Sequence, residues 1–420
     1  MAVLSIYLSP FAPDYSGVSS VLFDLNTVTA MHDASGCTGN YTGYDEPRWY
    51  GSKSPIYCSG LREIDAVLGD DEKLIRKMTA AAEDLKPELL ALVGSPVPMV
   101  IGSDLPGIAE ELEERTGIPS LGFDTTGTAY YDKGVAMATI GLLKKITEKQ
   151  ERIPGTVNIL GANPLDFGRG ENLEDLKALI RKAGYEITAC LSMGYTMEDL
   201  KRAASAQVNL AVSRAGFLIG EYMWKAYGIP YLCGLPVGEK GAAEYGKELA
   251  RTAETGEPVI LNGEPMLTDG EGEAAAGNVE TAAGNAEAAV GNAETAAGKA
   301  EPPAGEILIL GEQVQSNAIR LALEKEYGRK NIVVGCLFGL ERKLALPQDK
   351  NLASEAMIKE ELNKPGYQVI IADPFMKQLL KKESGAVFLE HAQYAVSSKV
   401  AVEKTARIMG EKFHGWYTMQ

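Results

Sequence analysis

The sequence predicts an α/β protein of three units, each a parallel sheet with helices on both faces. Short continuous runs rich in Val, Ile and Leu alternate with amphipathic stretches along most of the chain. Continuous apolar strands, rather than alternating ones, are what a sheet covered on both faces requires. The 420 residues suffice for two or three cored domains, and one low-complexity stretch interrupts the alternation. Three Rossmann-like domains are therefore expected, at residues 1–150, 151–268 and 305–420, with a linker at 269–304.

The elements follow in chain order. "ELLALVG" (88–94) reads as a strand before the polar-faced helix "GIAEELEERTG", and "IPSLGFD" (118–124) as a strand before the helix "GVAMATIGLLKKI". The second unit opens with "GTVNILGANPLDFGRGENLEDL" and continues through "VNLAVSRAGFLIGEYMWKAYGIPYLCGLPVG". Residues 274–301 are four tandem copies of a seven-residue unit, "AAAGNVE" and its variants. Their apolar positions are almost all Ala, and each copy has a Gly costing about 1 kcal/mol in a helix, so no coiled coil is expected. From Asp269 to Ala304 there are seven acids and one lysine, so this stretch holds −6 of the formal charge of −16. A solvated loop without chemistry is the expectation. The third unit runs through "EILILGEQVQSNAIRLALEKEYG", "NIVVGCLFG", "YQVIIADPF" and "AVFLEH".

Composition narrows the function classes. A net acidic chain is a poor match for nucleic-acid phosphates. No apolar run approaches the roughly 20 residues that span a bilayer. The opening "MAVLSIYLSPFAPDYSG" has no basic n-region or small-residue cleavage pattern, so no signal peptide is read and a cytoplasmic location is expected. There the five cysteines would stay reduced, which favours metal or redox roles over disulfides.

In sheets of this type ligands sit beyond the carboxyl ends of strands. Those positions hold Ser95 and Pro96, then Asp124, then Asn163, Asp166 and Arg169. In the third unit they hold Gln313, Ser316, Asn317, Asp373 and His391. Of these, Asp166, Asp373 and His391 are candidate proton donors, and Arg169 suits a substrate carboxylate. Gln313, Ser316 and Asn317 are candidate substrate contacts. "LGANPLDFGRG" and "LGEQVQSN" lack the spacings of dinucleotide and P-loop sites, so neither a dinucleotide nor ATP hydrolysis is expected. The three histidines, His32, His391 and His414, form no zinc motif, and G-x-S-x-G is absent.

Cys190, Cys233 and Cys336 sit inside apolar runs and read as small core residues. Cys37 and Cys58 differ: each is flanked by Gly or Ser, in a segment with the backbone freedom to wrap a bulky group. Two thiolates fall short of the four that a cubane iron–sulfur cluster prefers. A two-fold axis near both would bring two Cys37 and two Cys58 together and complete such a site from two halves.

These residues carry a resemblance. "HDASGCTGNY" resembles the "HGPxGC" loop of the nitrogenase component I superfamily, whose Cys holds a cluster at a subunit interface. "LREIDAVLGDDEKL" (61–74) is similar to the acidic helix start that follows it there. "ELLALVGSPVPMVIGSDLPGIAEELEERTGIP" is similar to the strand, cluster loop and "IGDD" stretch. The resemblance covers roughly the first 150 residues and is topological beyond them. The family includes the catalytic protein of nitrogenase, the dark protochlorophyllide and chlorophyllide reductases, and the cyclase of nickel tetrapyrrole synthesis. Two of its cysteines have no counterpart here: one falls on "SPFAPDYSG" and another on Gly94, Ser95 and Pro96. Cys37 maps onto a family ligand and Cys58 does so by neighbourhood.

The resemblance implies a nitrogenase-like oxidoreductase subunit, a homodimer or the partner of a related sister subunit. It would take low-potential electrons from an ATP-dependent iron protein through a single [4Fe–4S] cluster shared between subunits. A small molecule would be reduced between the domains; an eight-iron cluster and nitrogen fixation are not expected. Two other classes remain open: a non-catalytic scaffold for metallocofactor assembly, and a binding module for a corrinoid or siderophore.

Overall fold

The computed structural model describes residues 5–52, 54–261, 307–396 and 406–418. The expected linker at 269–304 lies outside the described residues. Three sheets form, and every strand pairing within them is parallel. The first contains β1 (Thr27–Met31), β2 (Ile56–Cys58), β3 (Leu89–Val93) and β4 (Ser120–Phe123). The second contains β5 (Ile153–Leu160), β6 (Glu186–Leu191), β7 (Ala206–Ala211), β8 (Tyr231–Cys233) and β9 (Val259–Ile260). The third contains β10 (Ile307–Gly311), β11 (Ile332–Cys336), β12 (Lys350–Asn351), β13 (Val369–Ala372) and β14 (Val387–Glu390).

The strand orders are β2-β1-β3-β4, β6-β5-β7-β8-β9 and β12-β11-β10-β13-β14. Each is doubly wound: the chain steps one way along the sheet, by one strand in the first two sheets and by two in the third, and then crosses back to continue on the other side. The crevice at that reversal lies between β1 and β3, between β5 and β7, and between β10 and β13. This repeated order puts chemistry at three places. Strands β1, β3 and β10 are buried at every residue, as their unbroken apolar sequence anticipates.

One apolar cluster runs through all three units, joining Val18, Leu142, Leu191, Ile219, Leu310 and Ile370. Its tightest contact joins the helix Asp14–Leu22 to the helix Tyr131–Ile146. A Cβ on Gly17 would stand 2.0 Å from the Tyr131 carbonyl oxygen, and one on Gly134 would stand 1.9 Å from that of Asp14. Only glycine permits backbones this close. The buried Asp14 carboxylate holds the neighbouring loop by accepting the amides of Gly127 at 2.8 Å and Thr126 at 3.2 Å. Among the described residues, no helix is long and apolar enough to cross a membrane.

The helix contact predicts that Gly134→Ala forces the two backbones apart and costs about 1–3 kcal/mol. Chemical denaturation monitored by circular dichroism reads this directly, with Gly246→Ala as the control because a Cβ there meets nothing within 4 Å.

Candidate functional site

The first sheet presents both solvent-side thiols at one edge. Met31, the last residue of β1, is in register with Cys58 on one side and Val93 on the other. Three strand ends therefore lie side by side, carrying Cys58, the loop to Cys37, and Ser95. Beyond Met31 the His32 amide donates to Val93 O at 2.8 Å, and the Ser59 amide donates to Met31 O at 3.0 Å. The chain then turns at Ser35, whose φ of 147° lies where a residue with a Cβ is strained. Cys37 enters the first turn of the short helix Gly36–Asn40, which passes into a π-helical turn at Tyr41–Asp45. Such turns occur often at functional sites.

Asp33 ties the two thiols to one frame. The Cys58 thiol donates to its carbonyl at 3.2 Å, and the Thr38 amide donates to its carboxylate at 3.0 Å. The Gly60 amide donates to the Cys58 sulfur at 3.3 Å. Around Cys37 stand the hydroxyls of Tyr15 and Ser95. Partial burial and the charge of Asp33 push the Cys37 thiol above its ordinary value, while those two hydroxyls pull it back. Ser95 is itself buried and donates to His32 O at 2.9 Å. His32 shares a 2.9 Å hydrogen bond with Ser59 Oγ, and burial lowers its imidazole.

The surroundings leave room. A Cβ on Gly36, Gly39, Gly43 or Gly60 would meet nothing within 4 Å. Apolar side chains that would normally seek cover stand bare on the two helical segments that follow β2 and β3. Ile64, Val67 and Leu68 are on the helix Glu63–Leu68. Val97 and Val100 are on Pro96–Val100, with Val100 87% exposed. Tyr44 and Tyr50 extend the same uncovered set from the cysteine loop. Cys37 and Cys58 are half-buried, whereas Cys190, Cys233 and Cys336 are buried, as their apolar flanks imply. Among the described residues no three His, Cys, Asp or Glu side chains converge on a metal position. Thiolates are the soft ligands that iron–sulfur chemistry uses, and these two are the half-buried cysteines among the described residues.

A second constellation lies where the sheets meet. Tyr131 donates its hydroxyl to the Asp166 carboxylate, whose other oxygen accepts Asn163 Nδ2 at 2.5 Å. Arg214, just after β7, pairs with Asp132 and donates to Phe338 O at 2.6 Å. Its backbone amide donates to Glu312 at 2.7 Å, and Gln315 N donates to the other Glu312 oxygen at 2.8 Å. Burial, foremost, raises all three carboxyls: Asp132 to about 6, Glu312 to about 7 and Asp166 well above its ordinary value. Glu312 is the next-largest influence on Asp166.

The other expected residues are placed less uniformly. Gln313 is buried, clamping Glu341 through its carbonyl and its amide at 2.9 and 2.8 Å. Asn317 donates to Leu344 O at 2.7 Å and accepts from Arg320 at 2.6 Å. Both amides are committed to the loop after β11, which gives them a positioning task rather than free donors for a ligand. Asp373 is likewise engaged, accepting Phe375 N at 3.0 Å and Gln393 N at 2.8 Å. Gln393 in turn accepts Glu312 N at 3.1 Å, so Asp373 reaches the junction through one residue. Ser316 Oγ is buried without a partner. His391 is buried beside Trp416, with ring centroids 5.8 Å apart, and burial pulls its imidazole down to about 4. It is therefore a neutral imidazole, not an imidazolium acid, at pH 7. Arg169 stands exposed on its turn.

Sequence reasoning missed Tyr131, Asp132, Arg214 and Glu312. The strand-end rule contained the signal for two of them, since Arg214 follows "NLAVS" and Glu312 follows "ILILG" directly. A cavity of about 240 Å³ opens between the first and third units, bordered by Ser9, Phe11, Thr128, Tyr130, Ser354 and Glu355. None of the substrate contacts expected from sequence borders it.

Comparison with known proteins fits this arrangement. A family model described as nitrogenase component 1 type oxidoreductase matches residues 14–268. The nitrogenase iron-molybdenum cofactor biosynthesis protein NifE of Methanosarcina barkeri is 28% identical over 243 residues, 52% of this chain and 50% of that protein. One subunit of the light-independent protochlorophyllide reductase of Zygnema circumcarinatum is 22% identical over 219 residues, 50% of this chain and 43% of that protein. The nitrogenase molybdenum-iron protein alpha chain of Methanosarcina barkeri is 24% identical over 251 residues, 56% of this chain and 46% of that protein. The chain spans about half the length of the curated relatives it matches. The solved structure of nitrogenase Cp1 at pH 6.5 superposes with a TM-score of 0.67 at 13% identity, covering 100% of this chain and 93% of that one, a likeness of fold.

The burial pattern predicts that iodoacetamide labels Cys37 and Cys58 in the folded, metal-free chain and leaves Cys190, Cys233 and Cys336 intact until denaturant is added. Labelling of Cys37 rises with pH, because its thiol is held above the ordinary value and the thiolate is the nucleophile. Peptide mass spectrometry resolves all five sites.

Proposed function

The chain belongs to the nitrogenase component 1 type oxidoreductases, and from that premise we propose that it is a nitrogenase-like reductase subunit. It receives low-potential electrons from an ATP-dependent iron protein and passes them to a small molecule bound between its domains. The observation that carries this reading is the pair of half-buried thiols, Cys37 and Cys58, at neighbouring strand ends beneath glycines that face open space. Cys37 and Cys58 would hold a [4Fe–4S] cluster together with donors from a second subunit of the same fold. When bound, that group supplies one-electron storage at low potential.

The chain's own residues supply the rest. Asp33 fixes both sulfur-bearing segments, Gly60 N–H donates to the Cys58 sulfur, and Tyr15 and Ser95 lie beside that of Cys37. Hydrogen bonds of this kind tune the potential of a bound cluster. The bare apolar residues Val67, Leu68, Val97 and Val100 are the surface the second subunit covers. The cavity edged by Phe11 and Tyr130 is a candidate substrate cleft. For proton supply Asp166 is favoured over His391, since burial raises the first and keeps the second neutral.

A scaffold that receives and releases a metallocofactor is the second reading, favoured by the similarity to a protein named for cofactor biosynthesis. Anaerobic reconstitution with iron and sulfide tests both. The expected result is about four iron atoms per two chains, an EPR signal after dithionite, and a dimer by light scattering. Cys37→Ala and Cys58→Ala lose the iron, and Val100→Asp loses iron and dimer together. An iron-free, monomeric product under strict anoxia refutes the shared-cluster reading. Cluster binding without partner-driven substrate reduction selects the scaffold.

A further inference from the structure

The junction of the three sheets has a charge imbalance that its hydrogen bonds do not remove. Asp132 belongs to the helix that follows the first sheet, Asp166 and Arg214 to the helical segments Pro164–Phe167 and Arg214–Tyr227 that follow β5 and β7 of the second, and Glu312 to the turn after β10 of the third. Three carboxyls thus gather at one junction, where the Arg214 guanidinium pairs with Asp132 and its backbone amide donates to Glu312, and where Asp132 is 2% exposed and Glu312 is 3% exposed. Arg214 touches all three units: it pairs with Asp132, its amide donates to Glu312, and its guanidinium donates to Phe338 O. One oxygen of Asp132 and the Nε of Arg214 are buried there with no partner. Gln315 Nε2 donates to Asp166 O at 3.3 Å, and the Tyr131 ring packs on Phe338 with centroids 5.0 Å apart.

We propose that this junction is a proton-operated clasp. With protons held among Asp132, Asp166 and Glu312, the three sheets close on Arg214; with all three ionised, two negative charges are in excess and the third sheet loosens from the others. Water that enters on loosening hydrates those charges, which the closed arrangement cannot do. The groups that face the cluster are accounted for. Lys133 lies next to Asp132 but is exposed, and Tyr131 is committed to Asp166. Asp14, on the helix packed against Gly134, spends its carboxylate on the loop 126–127. The nearby thiols Cys233 and Cys336 are held protonated by burial. Lys133 acts on Asp132 from its exposed position, and among the described residues no second cation forms an ion pair with any of the three carboxyls.

The direction of the pH dependence follows. Glu312 moves from 4.5 to about 7 in the closed form, so closed-state stability is complete below its ordinary value and is lost as pH rises to about 7. Asp132 acts in the same sense over a lower range, up to about 6. The cavity between the first and third units neighbours the clasp: its lining residue Tyr130 precedes Tyr131, and its lining residue Phe11 packs on Phe338 with ring centroids 5.5 Å apart. Loosening therefore widens that cavity, so access to it is greater above neutral pH than below. This inference stands whether or not a cluster binds at Cys37.

Hydrogen–deuterium exchange of the full chain at pH 5.5 and 7.5, corrected for intrinsic rates, tests it. Protection of residues 131–137 and 312–318 is expected to fall about tenfold or more on raising the pH, and by a clearly smaller factor, about fourfold, in Glu312→Gln, where Asp132 still titrates. Equal protection at both pH values in the wild type overturns the proposal, as does an unchanged fall in Glu312→Gln. Should that variant fail to fold, the wild type decides through its infrared spectrum. A protonated-carboxyl band present at pH 6 and gone by pH 8 supports the clasp; its absence at pH 6 overturns it.

Discussion

Arg214 is the one side chain on which the arrangement of the three sheets depends. It is planar, permanently charged and fixed at the base of a helix, so it bonds in several directions at once. Its neighbours come from each of the three units, and the surrounding apolar cluster runs without a break through all of them. Separate doubly wound sheets ordinarily meet through modest polar interfaces and move relative to one another. Here the interface is buried and directional, so the crevices at the three topological reversals keep a defined relation. The carboxyl ends of β5, β7 and β10 all feed the same junction, which turns a repeated topology into one site.

The cysteine loop follows the opposite logic. Where the junction is closed over its charges, the edge of the first sheet is open over its thiols, with glycines facing space and apolar side chains left bare. The proposed second subunit would account for both features at this edge, since one symmetric or pseudo-symmetric contact would bring further donors and cover the bare apolar side chains. The strained backbone at Ser35 and the π-helical turn after it bracket Cys37, which is half-buried against the apolar core.

Much of the fold was legible because parallel sheets write themselves as unbroken apolar runs. "ELLALVG", "NILGA" and "VIIADPF" each produced a strand where the pattern put one. The glycine-flanked cysteines were legible for a similar reason, since backbone freedom beside a thiol is a local property. The junction was not legible, because Asp132, Arg214 and Glu312 lie far apart in sequence and each reads locally as an ordinary helix-start residue. Gln313 and Asn317 show what position after a strand leaves out: their amides bond a loop that arrives from residues 341–344, which the local sequence does not announce. Periodicity reports which face is buried; it does not report which polar groups buried faces share.

The carboxylate of Glu355 gathers the backbone amides of Ile6, Tyr7 and Leu8 at 2.9, 2.8 and 2.7 Å, a contact 349 residues apart in sequence for the first of them. These amides meet that partner only when the third unit is docked on the first, so the contact is of very high sequence separation, the kind whose loop-closure cost makes folding slow.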